Sequence, residues 1–254
     1  MSRDMITSVD SKPSDCIAKK TVRAVFVALA MSAGCSSLPD DGTSALNGLR
    51  PTELKQGWEL LFDGSTMNGW RGFGKPEAPS QGWVVEGGWL KHRAGGGGGD
   101  LITRKVFTDF DLSFEWLIAP GGNSGVKYFI DERRGSPTGH EYQLIDDRAH
   151  PDAAHGPKRQ TAALYDALGP VKYGPALPGV VHQSRIRVSG RNVEHWLDGN
   201  RVLSYELASP LLMAAKAQSK FRDVFGWGTK FPTPILLQDH GDEIWFRNLK
   251  IYTL

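Results

Sequence analysis

Cysteine is scarce in this chain. Cys16 and Cys35 are the only two among 254 residues, and both precede the region patterned like a packed domain. No disulfide staples that domain, and no thiolate serves there as nucleophile or metal ligand. Long apolar runs are scarce too. Ala24 to Met31 is a run of eight, too short to span a bilayer as a helix. Charge of one sign is not in excess: the formal net charge is +2 and Lys and Arg are scattered. Nucleic-acid binding, which needs a concentrated basic stripe, is therefore not expected. Helical periodicity is nearly absent. One stretch, Pro210 to Asp223, reads as a short helix, with Leu211, Leu212, Met213, Ala214, Ala215 and Ala217 in it.

What is abundant is turn chemistry and tryptophan. Thirty Gly, fifteen Pro and eight Trp favour a turn-rich all-β protein. A flat indole face also stacks on sugar rings, although most Trp in a β protein simply fill its core.

The N-terminal stretch reads as an export signal. Lys19-Lys20-Thr21-Val22-Arg23 is a basic segment, followed by the apolar run and then Ser32-Ala33-Gly34-Cys35-Ser36-Ser37. Small residues ending at a Cys resemble the lipobox of bacterial lipoproteins, in which the Cys is acylated and becomes the mature N-terminus. Ser32 stands where that motif usually has Leu. Ser36 after the Cys resembles sorting to the outer membrane of a Gram-negative cell. Residues 1–18 carry three aspartates and fit no ordinary signal, as a start assigned too early would explain. The expected organisation is a lipoprotein-type signal peptide over 1–34, a linker over 35–54 and one domain over 55–254, with membrane attachment only through a lipid on Cys35. A plain signal peptide or a disordered tail is the simpler alternative.

The domain is a series of short strand patterns joined by turn signals. Asp111 to Ile118 alternates cleanly, with Leu112, Phe114, Trp116 and Ile118 on one side. Gly121-Gly122-Asn123-Ser124-Gly125 turns it into Val126 to Ile130. Thr161 to Asp166 reads as a strand of small residues. Ser184 to Val188, Asn192 to Leu197 and Arg201 to Tyr205 form a meander with short turns, hence antiparallel. About ten to twelve such strands without a βαβ crossover predict a sandwich of two antiparallel sheets with one short helix. The five-glycine run Gly95 to Gly99 lacks the Lys-Ser/Thr ending of a phosphate loop and reads as a flexible connection.

The stretch His140 to Asp147 is the most informative. As a strand it points His140, Tyr142 and Leu144 one way and Glu141, Gln143, Ile145 and Asp147 the other. One face enters a core; the other suits a polar groove, or merely a solvated surface. His150 and His155, five apart in a polar loop, are candidate metal ligands without a readable third partner.

Seven segments in this order resemble the 3-keto-disaccharide hydrolase family: Leu61-Phe62-Asp63-Gly64 with Asn68-Gly69-Trp70, Gly121 to Gly125, Glu141 to Asp147, Thr161 to Asp166, Val193 to Gly199, Leu237-Gln238-Asp239-His240-Gly241, and Trp245 to Ile251. The likeness covers about residues 57–252. It implies a concanavalin A-like jelly-roll sandwich, a small carbohydrate as substrate and action on 3-keto-glycosides. The Gly-Ser-Pro at 135–137 departs from the family pattern.

That chemistry has definite needs. A ketone at C3 of a sugar acidifies the C2 proton. A base removes it, the group on C1 leaves by β-elimination, and water adds back. The route differs from the two-carboxylate oxocarbenium mechanism of ordinary glycosidases. It requires a base, a donor to the enolate oxygen and an acid for the leaving oxygen. Glu141 is the first candidate base, His240 the second, and Asp147 shares the face of Glu141. Asn123, Gln143 and Gln238 are candidates to hold sugar hydroxyls, Tyr165 to donate to an oxyanion, Trp70 to stack on a ring, His195 to contact substrate and Lys220 to supply positive charge. The bland readings are an Arg partner for Glu141, a turn-capping role for Asp147 and Asp239-His240, and core positions for Trp70 and His195. The residues assign no cofactor of their own. A divalent cation such as calcium, if bound, is expected on Asp146, Asp147 and Asp239. The rival class is a non-catalytic, lectin-like carbohydrate-binding surface lipoprotein on the same fold.

Overall fold

The computed structural model describes residues 45–171 and 174–254; the expected signal and Cys35 lie outside the described residues. Among the described residues, thirteen strands and two α-helices follow in the order α1 (Pro51–Gln56), β1 (Glu59–Leu60), β2 (Trp70–Gly72), β3 (Trp83–Glu86), β4 (Trp89–His92), β5 (Leu101–Thr103), β6 (Phe110–Ile118), β7 (Asn123–Tyr128), β8 (His140–Ile145), β9 (His182–Ser189), β10 (Asn192–Leu197), β11 (Asn200–Glu206), α2 (Pro210–Ala217), β12 (Leu236–Leu237) and β13 (Ile244–Thr253). Three short 3-10 turns lie between β7 and β9.

Two antiparallel sheets form the expected sandwich. The larger has eight strands in the order β11-β10-β9-β6-β13-β4-β3, with β1 also on β13. The smaller has five, β2-β5-β12-β7-β8. The alternating pattern of β6 explains its place. Leu112, Phe114, Trp116 and Ile118 are all buried, and each such side chain contributes roughly 1.5–3 kcal/mol by leaving water. Phe114 packs edge-on against Tyr142 of the opposite sheet, ring centres 5.9 Å apart, and lies 6.4 Å from Phe246 of β13.

Several polar members of this core are satisfied from within. Trp116 Nε1 donates to Ser184 Oγ at 2.8 Å, and Tyr142 Oη lies 2.8 Å from the same hydroxyl and donates to Trp196 O at 2.9 Å. Trp70 is 1% exposed, and its Nε1 donates to Leu61 O at 2.6 Å. It is a core residue, not a platform for a sugar.

Three local expectations change. The domain starts inside the expected linker: Asn47 and Asn248 exchange backbone-to-side-chain bonds of 2.7 and 2.8 Å, so the chain is already bound to β13 before α1. The helix predicted over Pro210 to Asp223 ends at Ala217; Ser209 caps its start by accepting from Leu212 N. Thr161 to Asp166 is not a strand, because Ala162 and Asp166 take positive φ values of 66° and 59°. It is a strap along the edge of β8, held by Ala162 N to Gln143 O and Tyr165 N to Glu141 O.

Candidate active site

β7 and β8 pair so that Lys127 faces Glu141, Gly125 faces Gln143 and Asn123 faces Ile145. Alternation sends Val126, Tyr128, Tyr142 and Leu144 into the core, with His140 packed against Tyr128 and Tyr205. Lys127, Glu141 and Gln143 take the other face. Next along the sheet, Leu236 of β12 stands beside Lys127 and Ile102 of β5 beside Leu236. This face thus has an apolar patch, Ile102, Ile130 and Leu236, next to a charged one.

The charged patch centres on Glu141. Its Oε2 lies 3.6 Å from Lys127 Nζ, and both residues are buried. The carboxylate folds across β7 at Gly125, where a Cβ would stand 2.5 Å from Oε1; only glycine leaves that space. Turned with its nitrogen toward the carboxylate, the Gln143 amide donates to Glu141 Oε1 and Ser124 O, each at 3.2 Å, and its oxygen faces the Asn123 amide, 3.2 Å away. Glu141 therefore has one cation and one amide for its two oxygens, fewer partners than a carboxylate accommodates. Beside it, Gln238 Oε1 is buried without a hydrogen-bond partner, while its backbone N–H donates to Gly125 O at 2.9 Å.

Two further groups act on this patch. Burial pushes the Asp100 carboxyl upward, with Lys127 opposing and Glu141 reinforcing the shift. Burial lowers Lys220, with the attraction of Glu141 opposing; its amine sits 4.1 Å from the centre of the Tyr165 ring. Burial, then the Asp152 carboxylate, push the Tyr165 phenol upward. The Tyr165 hydroxyl already donates its one proton to Asp152 Oδ2 at 2.8 Å. It is not a free oxyanion donor; it orders the strap with Arg159, which donates to Asp152 at 2.5 Å and Asp166 at 2.9 Å.

Other expected members lie elsewhere. β8 ends at Ile145, so Asp147 leaves the alternation. Its carboxylate accepts from Thr161 N at 2.7 Å and Ala176 N at 3.1 Å, joining two loops, and burial raises its pKa. Asp146 accepts from Gly121, Arg148 and Ala149 N–H groups. Asp239 accepts from Gly99 and Gly241 N–H groups and faces His92 Nε2 at 3.1 Å. These three acidic residues are spent on backbone donors and form no common cation site. The five-glycine run is thereby a fitted loop: Gly99 donates to Asp239, and Gly97 O lies where a Cβ on Gly82 would be.

His195 is fully buried in a neutral chain of hydrogen bonds on the core face. Its Nδ1 donates to Ala162 O at 2.9 Å, so Nε2 accepts from Tyr128 at 2.7 Å. Tyr128 accepts from Tyr205 at 2.8 Å, and Tyr205 accepts from His140 Nδ1 at 2.8 Å. Burial lowers His195 to about 4 and His140 to about 3. His195 has no path to the charged face and is structural.

His240 stands at the end of the charged face, exposed, with its ring centre 6.0 Å from that of His150 and Nδ1 3.8 Å from Asp242 Oδ2. Asp242 Oδ2 also accepts the Asn123 N–H at 2.9 Å, which ties this corner to β7. The loop histidine that joins the site is therefore His150; His155 stays exposed and turns to Asp152 O.

Sequence reasoning did not single out Lys127, Asp100 or Asp242. Lys127 looks like any exposed lysine of an alternating strand. Only the register opposite Glu141 gives it meaning, and no local signal carries that.

The profile of the 3-keto-alpha-glucoside-1,2-lyase-like domain matches residues 57–252. The chain belongs to this family. A 3-keto-disaccharide hydrolase from Bacteroides thetaiotaomicron is 36% identical, over 78% of this chain and 79% of that one. A crystal structure of a protein from Parabacteroides distasonis superposes with a TM-score of 0.75 at 29% identity, covering 83% of this chain and all of that one. A second from the same organism, at 24% identity and a TM-score of 0.59, shares the fold. The family likeness places the protein among glycosidic-bond hydrolases.

Proposed function

We propose that this family member cleaves 3-keto-glycosides, such as 3-keto-disaccharides, by removing the C2 proton and expelling the C1 substituent. The observation that carries the reading is the Glu141–Lys127 pair, laid over Gly125 on the non-core face with carboxylate lone pairs to spare. Glu141 takes the C2 proton. Lys127 offsets the negative charge that moves onto the C3 oxygen as the enolate forms, a term that grows only as the transition state is approached. The enolate then re-forms the ketone while the C1–O bond breaks, leaving a C1=C2 double bond. Asp100, kept more readily protonated by burial, gives its proton to the departing oxygen. Water adds at C1 and a proton returns to C2, completing hydrolysis. Gln143, Asn123 and Gln238 supply amides for the sugar hydroxyls.

Proton exchange tests this directly. Incubated in D2O with a 3-keto-glucoside, the wild type should incorporate deuterium at C2 and release the aglycone. Glu141→Gln should slow both about 10²–10⁴-fold while the sugar still shifts the melting temperature. Release of aglycone with full retention of the C2 proton would refute the elimination route. Binding without turnover by the wild type would favour the lectin-like alternative.

The same proposal includes export and acylation at Cys35, supported by the basic segment, apolar run and small residues before it. Incorporation of labelled palmitate that Cys35→Ser abolishes is the expected result.

A further inference from the structure

The corner where His150, His240 and Asp242 meet has no role in the elimination just described. We propose that these three residues bind a divalent transition-metal ion of the zinc, cobalt or manganese type. One ligand atom from each lies within 4.8 Å of the others, a separation that modest side-chain rotation closes onto one ion at the usual bond lengths of about 2.0–2.2 Å. Two imidazoles and one carboxylate make a mixed nitrogen and oxygen set, suited to borderline metals and ill suited to calcium, which takes oxygen ligands. Three protein ligands leave coordination positions open, as in reactive rather than purely structural sites.

The supports around the ligands are in place. Asp242 Oδ2 accepts the Asn123 N–H, which orients the carboxylate and leaves Oδ1 for an ion. The loop bearing His240 and Asp242 is held at both ends: Asp239 accepts from Gly99 and Gly241 N–H groups, and the Asp242 carbonyl accepts from His92 Nδ1 at 3.0 Å. His240 is exposed, so an ion can enter from solvent. One contact competes. His150 Nδ1 accepts the Asp152 N–H at 3.1 Å, and ligation through Nε2 puts the ring proton on Nδ1 and opens that bond. Through Asn123 and Gln143 the ion would stand at the end of the row that contains Glu141. Sugar oxygens are natural occupants of its open positions, a consequence that rests on the proposed substrate, whereas the metal site itself does not.

The test therefore uses metal alone. Purified protein stripped with chelator and dialysed is titrated with Co(II) and Zn(II), following cobalt absorption and heat. The expected result is about one ion per chain, with Kd raised more than about tenfold in His150→Ala, His240→Ala and Asp242→Asn, while His155→Ala binds as the wild type does. Circular dichroism and melting without metal verify that each variant is folded. Absence of stoichiometric binding, or equal binding by wild type and the folded His240→Ala variant, would overturn the proposal. Wild-type turnover of a 3-keto-glucoside is measured separately, so loss of that activity leaves the metal result standing.

Discussion

The two faces of β7 and β8 set polar groups in protein interior in opposite ways. On the core face, His195, Tyr128, Tyr205 and His140 form a one-directional chain of neutral hydrogen bonds. Its only loose end is His140 Nε2, buried without a partner. On the other face, Glu141 and Lys127 are charged, stand 3.6 Å apart and keep unfilled hydrogen-bonding capacity, as does Gln238. Both groups are buried, and the largest downward pKa shifts among histidines lie on the structural side. Burial and perturbed titration therefore do not distinguish the two. Leftover capacity for partners, combined with charge, does.

The largest expected effect breaks the outer face. Glu141→Gln keeps the shape and one amide contact but removes the base, and should lower kcat/KM about 10²–10⁴-fold, with a melting temperature close to the wild-type value. Acid breaks the inner face. His140 and His195 titrate near 6.5 in the unfolded chain but at about 3 and about 4 when folded. Below pH 6.5 the unfolded state binds more protons, so stability falls as pH falls. Between 6.5 and about 4 both histidines contribute, with a limiting slope of ~2.7 kcal/mol per pH unit for two protons; between about 4 and 3 His140 alone does. Denaturant unfolding at pH 7, 5.5 and 4.5 measures this, and a stability that is flat across that range would contradict the buried neutral chain.

Tyr128→Phe separates the faces. It leaves His195 Nε2 without a donor and should cost about 1–3 kcal/mol in urea unfolding at nearly unchanged turnover, whereas a rate loss comparable to that of Glu141→Gln would tie the core chain to catalysis. Gly125→Ala is the mildest. Its Cβ displaces the Glu141 carboxylate, and a drop in kcat/KM of about tenfold or more with a smaller loss of stability is expected from steady-state kinetics and melting.

The fold was legible because its signals are local. Alternation in β6 and Gly-bearing turns specify strands and hairpins, and the His140–Ile145 pattern gave both faces correctly. The site was legible only in part. Glu141 and Gln143 follow from alternation, but their cation does not, since Lys127 acquires its role through register with β8. Trp70 and His195 are residue types common in sugar sites, yet a nearby carbonyl satisfies each in the interior. Asp147 was misplaced because alternation was extended two residues past the end of β8. His150 finds its partners some ninety residues later in the chain, at a distance no spacing rule spans.

The place of β13 fixes when the molecule can assemble. This last strand, Ile244–Thr253, is an interior strand of the large sheet, between β6 and β4, and also carries β1. A chain emerging from the ribosome therefore holds two unfinished half-sheets, β3–β4 and β6 with β9 to β11, which no earlier segment can join. Their exposed edges stay open until β13 arrives, and long-range pairing of this kind is slow. Closure is a single event made by β13 after the strands it joins, and a chain cut short before Ile244 is not a smaller version of the domain but two ribbons without a seam.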